Sequence, residues 1–140
     1  MDFGESLISK LEEAAYGYRG NKSIIADKSF QFSVAVVKWI KSHPYDAVDS
    51  VLFKQLLRSS TSIGANVEEA LGAQSDRDFV AKLQISYKEA RESLYWLRVM
   101  ASCDIGDREA LETLTQSSRE IRRMIAAILR TKKENMKRKS

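Results

Sequence analysis

Arg58, Ser62, Asn66 and Glu69 stand at steps of four, four and three within the run Arg58-Ser-Ser-Thr-Ser-Ile-Gly-Ala-Asn-Val-Glu-Glu-Ala70. On a helix such steps form one polar line. A guanidinium, a hydroxyl, a carboxamide and a carboxylate aligned this way can make either a ligand site or a hydrogen-bonded register between helices. A second line reads Ile85, Glu89, Glu92, Trp96, Val99 and Cys103, with two carboxylates set among apolar residues. Those carboxylates need cationic partners, because an unpaired buried charge is costly. Paired carboxylates such as Glu68/Glu69 or Glu89/Glu92 are also the nearest the chain comes to acid–base chemistry.

The other ingredients of catalysis are missing. His43, the single histidine, stands beside Pro44 in an expected loop with no nucleophile near it in sequence, so no Ser/His or Cys/His activation is signalled. Glu-x-x-His pairs for a di-metal bundle and the spacings of zinc ligands are absent. Gly17 and Gly20 follow no strand and make no phosphate loop. The sequence therefore predicts a protein that is not an enzyme and that needs no cofactor or metal. The lone Cys103 closes an apolar helical pattern and is expected to be a small buried or half-buried hydrophobe.

Positioning these residues falls to helices. A chain of 140 residues suits one core, and 44% hydrophobic with 30% charged residues is far from a disordered composition. One proline and six glycines leave too few turn residues for an all-β fold. The pattern predicts an all-α, antiparallel up-down-up-down four-helix bundle with an extra short N-terminal helix. That extra helix is expected over residues 5–18, with Leu7, Ile8, Leu11, Ala14, Ala15 and Tyr18 on its apolar face. The opening residues are acidic, and no apolar run approaches the roughly eighteen residues of a membrane span. No membrane association and a cytoplasmic location are the expectations.

The four bundle helices are expected at about 27–42, 47–71, 77–102 and 107–135. Asp27 is the expected N-cap of the first, and Pro44 discourages its continuation. This helix carries two apolar stripes, Phe30/Val34/Val37/Ile40 and Phe32/Val36/Trp39. Its apolar sector is wider than one neighbour needs. Phe32, Val36 and Trp39 are therefore candidates for an oligomer interface, with a central core position as the alternative. Antiparallel pairing of the second and third helices brings Arg58 to Glu89, Ser62 to Ile85, and Asn66 to the turn carrying Lys82. Arg58, Ser62, Asn66, Glu69, Lys82, Glu89 and Glu92 are accordingly expected to form a structural polar layer that fixes helix register.

Charge is unevenly distributed. Residues 119–140 carry nine Lys or Arg against two Glu, while the rest of the chain is net negative. Arg119, Arg123, Arg130, Lys133 and Lys137 share one face of the fourth helix. Such a stripe is the footprint of nucleic-acid phosphate contact, or alternatively a solubilising end that complements the helix dipole.

Several segments resemble a known family. Phe30-Gln-Phe-Ser-Val-Ala-Val-Val37, Leu57-Arg-Ser-Ser-Thr-Ser-Ile-Gly-Ala-Asn66, Glu69-Ala70, Asp78-Phe79 and Lys82-Leu-Gln-Ile-Ser-Tyr-Lys-Glu-Ala-Arg-Glu-Ser-Leu-Tyr-Trp-Leu97 are similar to the four-helix-bundle proteins named after the intervening-sequence protein of bacterial large-subunit ribosomal RNA. The resemblance covers about residues 27–130. It implies a bundle assembled as a ring, commonly a homopentamer, and association with ribosomal RNA. A more distant similarity is to the accessory protein of diversity-generating retroelements, a basic pentameric barrel associated with nucleic acid. The chain thus divides into an N-terminal extension (1–26), a bundle (27–131) and a basic tail (132–140). Two readings follow: an oligomeric RNA-associated protein, or a protein-interaction scaffold whose basic tail serves solubility.

Overall fold

In the computed structural model, which describes residues 18–19 and 22–139, a two-residue antiparallel ladder of β1 (Tyr18–Arg19) and β2 (Lys22–Ser23) leads into four helices. These are α1 (Ile24–Ser42), α2 (Ala47–Leu71), α3 (Asp76–Ser102) and α4 (Arg108–Lys139). The N-terminal helix expected over residues 5–18 lies, apart from Tyr18, outside the described residues. Among the described residues no helix is long and apolar enough to cross a membrane.

Each helix starts where a short oxygen-bearing side chain can satisfy a free backbone N–H. Ser23 accepts from the Ala26 amide, so α1 begins before the expected Asp27. Asp46 accepts from Asp49 N at 2.8 Å, and Ser75 from Asp78 N at 3.1 Å. Asp107 accepts from the Glu109 and Ala110 amides at the head of α4. α1 stops at Ser42, ahead of His43-Pro44. The His43 ring lies 4.3 Å from that of Trp39, and its Nδ1 is 2.7 Å from the Trp39 carbonyl oxygen. α3 ends at Cys103, which is exposed instead of buried because it caps the helix outside the core. The turn to α4 needs Gly106 at φ 78°, where a Cβ would stand 2.5 Å from Trp39. α4 continues unbroken to Lys139, so the expected basic tail is the last two turns of a helix.

The four helices close into an antiparallel bundle. Ser29 and Ser33 of α1 face Gly64 and Ser60 of α2, Ser86 and Ser93 of α3 face Ile63 and Ser59, and Ser118 of α4 faces Ala90. α1 and α4 then meet through the Lys28–Glu120 ion pair. Leu56, Ile63, Leu83, Leu97, Met100, Ile121 and Ile125 fill the centre. Phe32, Val36 and Trp39, candidates for an oligomer interface, are 3%, 0% and 7% exposed and belong to this core within one chain. They face inward because their stripe points between α2 and α4. The other stripe of α1 is the outer one, with Phe30 60% exposed.

Between the large side chains run fully buried serines. Ser86 donates to the Ile63 carbonyl at 2.8 Å, Ser93 to Ser59 Oγ at 2.9 Å, and Ser29 to the Ile25 carbonyl at 2.7 Å. Every one of these hydroxyls is satisfied, so small side chains bring helices close without leaving an unpaired polar group. Gly64 extends this seam, since a Cβ there would lie 3.4 Å from the Ser29 carbonyl oxygen.

That geometry separates two substitutions. Gly64→Ala adds only an ordinary contact and gains up to about 1 kcal/mol of helix propensity, so its melting temperature is expected to equal or exceed that of the parent. Gly64→Leu must push α1 from α2 and is expected to cost about 1–3 kcal/mol. An unchanged melting temperature in the Leu variant would contradict the close approach.

Candidate functional site

The polar residues of α2 and α3 meet, but not as one continuous layer. Arg58 reaches across to two carboxylates one turn apart, with Nη1 3.3 Å from Glu89 Oε2 and Nη2 paired with Glu92. Closer to the α2–α3 connection, Lys82 Nζ lies 3.0 Å from Glu69 Oε2. Ser62 and Asn66 do not bridge the helices: Asn66 donates to the Ser62 carbonyl at 2.8 Å within α2. Both ion pairs lie at the surface seam. The Arg58 side chain is 50% exposed, and only Glu89, at 18%, is substantially covered.

The two carboxylates on Arg58 respond oppositely. Burial pushes Glu89 above the ordinary glutamate range, and Arg58 at 3.3 Å only partly offsets it. The close hydrogen bond from Arg58 holds Glu92 below that range, and the same bond raises Arg58 further. Glu92 also accepts from Trp96 Nε1 at 3.2 Å, so the Arg58 cluster fixes an aromatic side chain one turn farther along α3.

That part of α3 borders a groove. Lys88, Arg91, Tyr95 and Arg98 stand at steps of three, four and three, which puts them on one outward line. Opposite them α4 supplies Arg119 and Arg122, while Glu92, Leu94 and Trp96 complete the lining. Five cations thus converge on one open cleft against one carboxylate, and that carboxylate is already committed to Arg58. Among the described residues none of the five cations forms an ion pair. Tyr95 stays 54% exposed, its ring packed edge-on against Trp96 with centroids 5.0 Å apart. Unneutralised cations around an exposed aromatic ring suit a polyanion that also offers flat faces.

Of the residues expected to contact nucleic acid, Arg119 lines this groove. Arg123, Arg130, Lys133 and Lys137 are exposed farther along α4. Lys132 departs from the stripe: it pairs with Asp76 at 2.8 Å, holding that carboxyl below the ordinary range, and sits 5.2 Å from the centre of the Phe79 ring. Lys88, Arg91, Arg98 and Arg122 were not among the expected residues. Their signal was the basic line with an interleaved tyrosine on α3, which becomes a site only once α4 lies beside it. No group of three or more His, Cys, Asp or Glu among the described residues is placed to hold a metal ion.

The family model described as 23S rRNA-intervening sequence protein matches residues 21–127. The chain belongs to the 23S rRNA-intervening sequence protein family. Within the matched part lie the Arg58 cluster and the whole lining of the α3–α4 groove, whereas Arg130, Lys133 and Lys137 lie beyond it. Among solved structures, the chain is similar to a protein of unknown function from the S23 ribosomal protein family of Bacteroides thetaiotaomicron VPI-5482. The two share 37% identity over 76% of this chain and 98% of that one, with a TM-score of 0.68. No curated protein matches this chain.

In this family member the opposed carboxylates give a pH-dependent signature. Glu92, with its folded value lowered, contributes stability that is present above its unfolded value and lost as pH falls through the folded one. Glu89, with its folded value raised, contributes stability present at low pH and lost as pH rises through that value. Glu92→Gln is therefore expected to cost up to about 1 kcal/mol at neutral pH, the range of a partly exposed ion pair. That deficit closes on acidification below the carboxylate range. Glu89→Gln is expected to be neutral or stabilising at neutral pH. Denaturant titration across pH checks both, and equal losses for the two variants would contradict the assignment.

Proposed function

We propose that this protein binds RNA through the α3–α4 groove and acts without catalysing a reaction. The observation that carries this reading is the convergence of Lys88, Arg91, Arg98, Arg119 and Arg122, none of them ion-paired among the described residues, on one cleft beside Tyr95. Polyanion binding draws its affinity from cations of this kind, because each phosphate they neutralise releases condensed counterions. Arg123, Arg130 and Lys133 extend the positive surface along α4 beyond the groove. The family's description mentions ribosomal RNA, which supports RNA over other polyanions as the ligand of such a surface.

Self-association fits the same reading. Phe30 and Val37 on α1, with Tyr45, Val48 and Val51 around the start of α2, are large apolar side chains left exposed in the single chain. A homo-oligomeric ring, a pentamer by the family resemblance, would cover such surface and set several grooves on one particle. Weak single contacts would then act together through avidity. With Phe32, Val36 and Trp39 buried in the core, the scaffold reading shifts to these exposed apolar residues; it gives no role to the groove cations, and we rank it second.

Binding to structured RNA is expected to weaken steeply with salt. Replacing Lys88, Arg91, Arg98, Arg119 and Arg122 together by Gln is expected to flatten the slope of log affinity against log salt by about 0.7–0.9 for each phosphate that is no longer neutralised. Light scattering and thermal melting establish that the variant keeps its mass and fold. RNA affinity that is insensitive to both salt and these substitutions would overturn the proposal.

A further inference from the structure

Resting on that reading, we propose that the groove takes an unpaired strand, with one base stacked on Tyr95 and the flanking cations holding the neighbouring phosphates. The cations alone do not discriminate, since duplex and single strand both present phosphates. Tyr95 is the discriminating element. It lies on the same face as Arg91 and Arg98, about 6 Å along the helix axis from the first and about 4.5 Å from the second. Arg119 and Arg122 approach from α4. A ring so placed in a basic groove can receive the face of another ring. In an A-form duplex the base faces are already stacked on each other, and only backbone and groove edges are offered outward. A splayed base in a single strand exposes the face that a tyrosine can cover.

The ring is also held in advance of binding. Tyr95 packs edge-on against Trp96, the Trp96 indole N–H donates to Glu92, and Glu92 is paired with Arg58 on α2. This chain of contacts restrains the platform from the groove wall itself, where Glu92 and Trp96 stand beside Tyr95, so stacking requires little new ordering of the protein. It also gives the Arg58 motif a positioning role at the groove that its distance in sequence does not suggest.

The test compares the full chain's affinity for a labelled oligouridylate and for a labelled RNA hairpin with the same number of phosphates, its stem closed by a non-nucleotide linker so that it offers no unpaired base, at one salt concentration. The strand is expected to bind about 5- to 100-fold more tightly, the effect of stacking one base on an aromatic side chain. Tyr95→Leu is expected to bring strand affinity down to the level of the hairpin, while Tyr95→Phe keeps the gap. Melting temperature and mass in solution verify that both variants retain the parent's fold and assembly. Equal affinity of the parent for the two probes, or a gap that survives in Tyr95→Leu, overturns the strand preference and leaves RNA binding standing. Failure of both probes to bind overturns RNA binding and the preference with it.

Discussion

The close approach of α2 and α3 over buried serines is the constraint on which the rest of the molecule depends. Ser59, Ser86 and Ser93 are fully buried, and each finds a hydrogen-bond acceptor in a backbone carbonyl or in another serine. A hydroxyl buried without a partner costs about 1–3 kcal/mol, so sliding one helix past the other would break together the two bonds that cross between them, from Ser86 and Ser93. The register they hold is what sets Arg58 opposite Glu89 and Glu92. From there the order passes through Glu92 to Trp96 and on to Tyr95 at the edge of the groove. A packing rule in the core thereby becomes a geometric rule at the surface.

Electrostatics divides the surface into two kinds of charge. On the α2–α3 seam, cations and carboxylates neutralise each other in the Arg58 and Lys82 pairs. At partly exposed sites such pairs contribute little stability, and their value lies in orientation. Between α3 and α4 the balance is unequal, with five cations facing one carboxylate that Arg58 already occupies. Like charges repel across such a cleft, and the cost is relieved when a polyanion enters it. The seam thus organises the protein, while the groove carries a charge imbalance that the described residues do not neutralise.

Much of this was legible in the sequence. Helix spacing pointed to the bundle, and the Arg58 line and its carboxylate partners were readable because polar residues at ordered steps on an otherwise apolar helix are unusual. The start of α1 was less so, since Ser23 and Asp27 both suit an N-cap and only the chain path into β2 selects the serine. Two apolar stripes on α1 could not be ranked before the neighbours were placed; Phe32, Val36 and Trp39 face inward, and Phe30 faces out. Cys103 looked like the last apolar residue of a helix and is instead its exposed cap. Four of the five groove cations were missed, the three on α3 for a related reason. A line such as Lys88, Arg91, Tyr95 and Arg98 is what the solvent face of any helix presents, and it acquires meaning only when Arg119 and Arg122 stand across from it.

Whether RNA lies in the cleft between α3 and α4 is tested most directly by photocross-linking. A 4-thiouridine-substituted RNA bound to the full chain, irradiated and digested, yields peptides whose mass identifies the attached residue. Adducts are expected to concentrate on Tyr95, Trp96 and their neighbours on α3, with further adducts on the α4 segment that carries Arg119 and Arg122. Adducts confined to α1 or to the α2 side of the Arg58 seam, with the groove peptides unmodified, would contradict binding in the cleft.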